Sequence, residues 1–190
     1  MAGHEHSLTP SLSDEYDALT NNFAFIDRSH YGRLKFSGHD ALDLLNRLST
    51  NHLAELQVGQ ALPTILTSNK GRVVDVLLVL RQIDHILVFT SPETRQTVAD
   101  YVDFYTFSED VRIDDVTDET AMYAVSGPAA PRTTIANLNG LGVHESVKVC
   151  HEGMEALIVR SDFLDHPGYD FIVDCQSQDS LRKFMEDTGA

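Results

Sequence analysis

Thr67-Ser68-Asn69-Lys70-Gly71-Arg72-Val73-Val74-Asp75-Val76-Leu77-Leu78-Val79-Leu80-Arg81 opens on a polar turn and continues as a β-branched, leucine-rich run. The turn at Asn69-Lys70-Gly71 separates Ala61–Thr67 from Arg72–Arg81, and two apolar runs joined in this way predict a β-hairpin. Pro63 places the first arm at a sheet edge or a bulge, because proline cannot donate to a ladder. One carboxylate, Asp75, interrupts the second arm. A buried charge is expensive unless it is paired or bound. Asp75 therefore either faces water on a half-buried strand or sits at a site. Spacing alone favours the first, since strands alternate faces and an acid on the wet face costs nothing.

Upstream of the hairpin, residues 1–20 read as a loose polar lead-in and Asn22–Ser29 as an alternating apolar stretch. Arg33–Ser37 reads as a short strand. Ala41, Leu44, Leu45 and Leu48 fall at helical spacing, with Ser37 and Asp40 placed like a capping box. Downstream, His85–Thr90 predicts a strand. Ser91-Pro92-Glu93 predicts a helix start, with Val98, Tyr101, Val102 and Tyr105 on the buried face. Short strands follow at 111–113, 121–126, 146–150, 156–159 and 169–173. Helices are expected after Gly127-Pro128, through Leu138, and over Ser177–Asp187. Hairpins mixed irregularly with helices give an α+β domain over 21–190, not a doubly wound sheet.

The chain has 190 residues and is 42% apolar, enough for one core or two small intertwined ones. Its longest apolar run is strand-length, far from the ~20 residues a membrane helix needs. Its first residues lack the apolar core of a secretory signal, so a cytoplasmic location is the default expectation. With 14 basic residues against 29 acids and a net charge of −15, the surface repels phosphate backbones, and direct nucleic-acid binding is not expected. Only four of the bases are lysines, a balance that predicts stabilisation by molar salt. Cys150 and Cys175 match neither a zinc spacing nor a CxxC pair and read as small core residues. No phosphate-binding glycine loop, nucleophile elbow or zinc-protease motif occurs. His30, His39 and His52 have no cysteine or acid at ligand spacing, so no metal site is expected. Asp165 and Asp170 flank a turn and are a weak paired-acid candidate.

Five stretches, taken in order, resemble the folate-binding portion of the glycine-cleavage T-protein superfamily. Ile26-Asp27-Arg28-Ser29-His30-Tyr31-Gly32 resembles its FDVSHMG stretch. Leu44-Leu45-Asn46-Arg47-Leu48-Ser49-Thr50-Asn51 resembles its helix ending in Thr-Asn-Asp. Asn69–Asp75 resembles its NxxGGxxDD hairpin, Tyr123–Ala130 its QGPxAQ strand, and Pro167-Gly168-Tyr169-Asp170-Phe171 the end of its GYTGExGYE segment. The resemblance implies a T-protein-like fold of antiparallel, ferredoxin-like sheets with packed helices. It also implies tetrahydrofolate, or a one-carbon derivative, as the ligand.

Two departures choose the branch. Aminomethyltransferases carry two adjacent aspartates in the hairpin and use the second, and here Val76 stands in its place. The GYTGE stretch is degraded to Asp162-Phe163-Leu164-Asp165-His166, with His166 where the family's folate-contacting glutamate would be. The run Tyr105–Val111 is more like the YgfZ-type proteins, which bind tetrahydrofolate and support iron–sulfur proteins and tRNA modification. The resemblance thus implies a YgfZ-type folate binder, with Tyr31, Arg72, Asp75, Val76, Thr90, Arg160 and His166 near the ligand and iron–sulfur assembly proteins as partners. The YgfZ type continues with a K-G-C-x-x-G-Q-E motif and a C-terminal barrel, neither of which is reached by Ala190, so a truncated chain is expected. Two alternatives stay open: a folate-dependent aminomethyltransferase with Asp75 as catalytic residue, and a folate-free protein-interaction scaffold.

Overall fold

The computed structural model describes residues 12–132, 138–162 and 166–187. Among them ten strands form two five-stranded antiparallel sheets. The first sheet holds β1 (Ala24–Asp27), β7 (Thr120–Ser126), β10 (Gly168–Asp174), β9 (Met154–Arg160) and β8 (Ser146–His151), in that spatial order. The second holds β3 (Ala61–Thr67), β4 (Val73–Arg81), β5 (Ile86–Pro92), β2 (Tyr31–Ser37) and β6 (Arg112–Asp115). Helices α1 (Leu12–Asn21), α2 (Ala41–Leu48), α3 (Arg95–Phe104) and α4 (Gln178–Asp187) complete the α+β architecture.

Three apolar clusters hold these layers together. One lies between the first sheet and α4, around Tyr123, Val125, Phe171, Leu181 and Met185. A second lies between the second sheet and α2 and α3, around Leu44, Leu45, Leu77, Val79, Val98 and Val102. The third lies where the sheets face each other, and joins Leu80, Leu87 and Phe89 to Met122, Val159 and Ile172. Each fully buried leucine, valine or phenylalanine contributes roughly 1.5–3 kcal/mol of transfer free energy. Strand alternation therefore fixes register: Leu77 and Val79 of β4 turn to the helices, while Leu78 and Leu80 turn to the other sheet.

Arg33 spans the sheet–sheet junction with no exposed surface. Its guanidinium donates to Thr120 Oγ1 at 2.6 Å, Thr117 O at 2.6 Å and Tyr31 O at 2.7 Å, and more distantly to Ser29 O. Burial lowers its pKa to about 10, against the opposing pull of Asp115 and Asp118. A buried cation is tolerated here because carbonyl and hydroxyl oxygens meet its donors.

The hairpin, the edge position of Pro63 and the two main helical stripes lie where the sequence places them. Several details differ. The lead-in is helical over Leu12–Asn21, although none of its residues is buried. Ser37 belongs to β2, paired with Arg112, and Asp40 makes no side-chain cap; its carboxylate accepts instead from the Asp110 amide at 2.9 Å. β5 continues through Pro92, which pairs with Tyr31, and the helix begins only at Arg95. Between them Glu93 sits at φ 65°, in the left-handed region. Past Gly127 the described residues form single 3-10 turns at Ala130–Arg132 and Leu138–Gly140; the middle of the expected helix, residues 133–137, lies outside the described residues. Cys150 and Cys175 are both exposed and unbonded, not core residues: Cys150 lies near the end of the edge strand β8, and Cys175 opens the 3-10 turn that follows β10.

Candidate functional site

Where the two sheets splay apart they leave a cavity of about 520 Å³. Its first-sheet wall is the even-numbered face of β7 and β10, carrying Ala124, Ser126, Gly168 and Asp170, with Ile26 and Arg28 from β1 and the loop after it. Its second-sheet wall is Leu78 and Tyr31. Leu78 and Tyr31 also pack against the inter-sheet cluster, so the cavity continues the gap that this cluster closes further in. A larger groove, about 1090 Å³, lies under α1, but its polar lining residues are acids, a serine and a tyrosine of α1 with Asp27, and no basic group joins them. Convergent groups of both signs mark the smaller cavity as the candidate site.

Asp170 is 1% exposed. Its Oδ1 takes a hydrogen bond from Arg28 Nη1 at 2.8 Å, and its Oδ2 takes one from the Ser161 hydroxyl at 2.5 Å. Burial pushes its carboxyl above the ordinary carboxylate value, opposed by Arg28 and by the Ser161 hydroxyl. The Arg28 guanidinium lies over the Tyr31 ring at 4.1 Å from the centroid. The backbone of this corner is fixed in turn: Arg28 N–H donates to Met122 O, Tyr31 N–H to Arg28 O, and Asp27 accepts from the Ser29 amide. Nearby, Arg160 donates to Asp162 at 2.9 Å and to Leu141 O, and this pairing holds the Asp162 carboxyl below its ordinary value.

The hairpin aspartate has the opposite orientation from the one spacing favours. Asp75 is 5% exposed and shares its face of β4 with Leu77 and Val79, toward the helices. Its Oδ2 accepts from the Ser91 amide at 3.0 Å and lies 2.6 Å from the Thr94 hydroxyl, and its Oδ1 accepts from the Val76 amide. It thus ties the corner between β5 and α3. Val76, one residue on, is 57% exposed on the other face, in line with Leu78 of the cavity wall and paired with Ile65 of β3.

Of the residues the resemblance pointed to, Tyr31 lines the cavity and Val76 lies on the strand face that leads into it. Arg72 is exposed at the hairpin turn, where its amide donates to the Ser68 hydroxyl. Thr90 is 1% exposed and faces α3: a Cβ on Gly32 would run into its hydroxyl and into Arg95. Arg160 stands behind Asp162, and His166 forms an isolated bridge before β10, outside the cavity lining. Asp165, of the paired-acid candidate, lies outside the described residues, and Asp170 has a cation for its partner. No cluster of three potential metal ligands occurs among the described residues. Arg28 and Ser161 were not singled out by sequence. The Arg28–Asp170 contact joins residues 142 positions apart, and no local pattern announces it.

A family model described as "GCVT N-terminal domain" matches residues 4–189. The chain belongs to that family. Among relatives of this GCVT domain, the aminomethyltransferase of Geobacillus kaustophilus (strain HTA426) is 30% identical over 183 residues, covering 90% of this chain and 48% of that protein. The aminomethyltransferase of Streptomyces avermitilis is 29% identical over 185 residues, covering 95% of this chain and 50% of that protein. The glycine cleavage system aminomethyltransferase T from Bartonella henselae has the same fold, with a TM-score of 0.78 at 16% identity, over 90% of this chain and 47% of that one. The GCVT domain described here spans about half the length of the aminomethyltransferases it matches. No helix among its described residues is long and apolar enough to cross a membrane.

Proposed function

We propose that this domain binds a reduced folate in the cavity between its sheets and does not itself transfer an aminomethyl group. The observation that carries the reading is the pair Asp75–Val76. The strand face that leads into the cavity presents a valine, and the neighbouring carboxylate is turned to the helices with both oxygens engaged. A shift of one residue in a strand moves a side chain to the opposite face, so Asp75 does not reach the cavity without breaking the β3–β4 register. Valine neither orients nor accepts a proton from an amine. Kinship with aminomethyltransferases supports the folate ligand, and the valine argues against their chemistry. On this reading the protein is of the YgfZ type, serving iron–sulfur protein maturation or tRNA modification, with iron–sulfur assembly proteins as its partners.

Titration calorimetry with tetrahydrofolate, run beside an assay for methylene-tetrahydrofolate formation from an aminomethyl-lipoyl carrier, tests both halves. Heat of binding without product is expected. Product formation removes the non-transferase reading, and absence of heat at high micromolar ligand removes the folate.

A further inference from the structure

Arg28 has three features that a surface arginine lacks. Its guanidinium is stacked on Tyr31, pinned by Asp170 at 2.8 Å, and still 29% exposed on the cavity side. Among the described residues, Asp170 is the one hydrogen-bond acceptor that the guanidinium meets, through Nη1. A guanidinium carries five N–H donors in a rigid fork. One edge is held by a buried carboxylate and one face is covered by a ring, which leaves donors for a ligand in the cavity that Arg28 lines together with Ile26 of one sheet and Leu78 of the other.

The charge balance selects the ligand group. Asp170 already neutralises Arg28, and a ligand carboxylate brought to the same place would set a second anion beside a buried first one. A neutral acceptor oxygen on a flat ring meets the donors without that penalty. We propose that Arg28 is a specificity-determining residue of the cavity, donating N–H groups to the 4-oxo oxygen of the bound folate ring. The inference rests on the folate reading above.

The test compares tetrahydrofolate with its 4-amino counterpart, in which a donor replaces the acceptor oxygen. The wild-type protein is expected to prefer the oxo compound on the order of ten- to a hundred-fold, the range for a hydrogen bond to a charged group. The double variant Arg28→Met with Asp170→Asn removes the pair together and leaves no lone buried charge; it is expected to bind both compounds equally. Arg28→Lys keeps the charge without the fork and is expected to lower the preference, so it carries the comparison if the double variant does not fold. Tetrahydropterin and its 4-amino form, without the benzoylglutamate tail, are expected to give the same pattern. Equal binding of both compounds by the wild type, or a preference untouched by the variants, overturns the role of Arg28 and leaves folate binding standing. A loss confined to compounds with a tail assigns Arg28 to the tail carboxylates and overturns it as well. Failure of the wild type to bind any of these compounds removes the folate reading and this inference together.

Discussion

Replacing Asp75 separates a structural carboxylate from a catalytic one. The side chain is 5% exposed and receives the Ser91 amide, the Thr94 hydroxyl and the Val76 amide. In Asp75→Ala the Ser91 amide loses its acceptor within the corner between β5 and α3, while the Thr94 hydroxyl keeps Ser91 O at 2.8 Å. An orphaned buried donor costs about 1–3 kcal/mol, and a hydrogen bond to a charged group contributes about 1.5–3 kcal/mol. The expected loss is about 3–5 kcal/mol, or a fall in Tm of roughly 6–20 °C for a domain of this size. Asp75→Asn retains one acceptor oxygen but turns its amide nitrogen toward the Val76 or the Ser91 amide, donor against donor. Its loss is expected to be smaller, about 1–2 kcal/mol. Urea unfolding gives the stabilities, and tetrahydrofolate titration of the folded variants gives the affinities. Affinity is expected to stay within about threefold of wild type in Asp75→Asn, less than 1 kcal/mol on the binding scale. A variant of unchanged stability that loses binding or an activity would refute the structural assignment and return Asp75 to the site.

Four further outcomes follow from the structure and the charge balance. Glu109 is held down to about 2, first by the Arg47 guanidinium and then by the Phe107 and Ser108 amides; a lowered carboxylate stabilises above its unfolded value of 4.5 and loses that contribution as pH falls toward 2, so Glu109→Gln should flatten the acid limb of unfolding. Asp170 has the opposite sign: its raised carboxyl favours the fold below the unfolded value and loses that contribution as pH rises through the folded one, so Asp170→Asn should make stability rise more steeply, or fall less, over that window in pH-dependent melting. Gly127 sits at φ 137° with an added Cβ only 2.5 Å from Asn22 O and 2.7 Å from Phe23 Cα, so Gly127→Ala should lower stability by about 2–4 kcal/mol, measured by denaturant titration; a loss under ~0.5 kcal/mol would mean that the close approach of this turn to β1 is not there. A net charge of −15 repels itself, so Tm should climb as molar salt is added, and a flat response would mean that the repulsion is already relieved by local pairing.

Local pattern carried most of the secondary structure. The Asn69-Lys70-Gly71 turn between two apolar arms is a hairpin whatever surrounds it, and Ala41, Leu44 and Leu45 make a buried stripe at any address in a fold. Family membership was legible too, because five short stretches in order constrain a chain more than any one of them does. The cap at Ser37 and the helix start at Ser91 were misread for one reason. Both residues have a stronger long-range partner, Arg112 across the β2–β6 ladder for the first and Asp75 for the amide of the second.

What the sequence determined by itself is a hairpin, an α+β pattern and a valine where the related transferases have an aspartate. What only tertiary structure decided is direction and company. Alternation places Asp75 and Val76 on opposite faces, but it cannot name the face that meets the helices and the face that meets the other sheet. That depends on the packing of Leu77 and Val79 against α3 and of Leu78 and Leu80 against β7 and β10. The Arg28–Asp170 pair is also a long-range product: β1 and β10 both pair with β7 in the first sheet, and only that arrangement brings the cation after β1 to the carboxylate of β10.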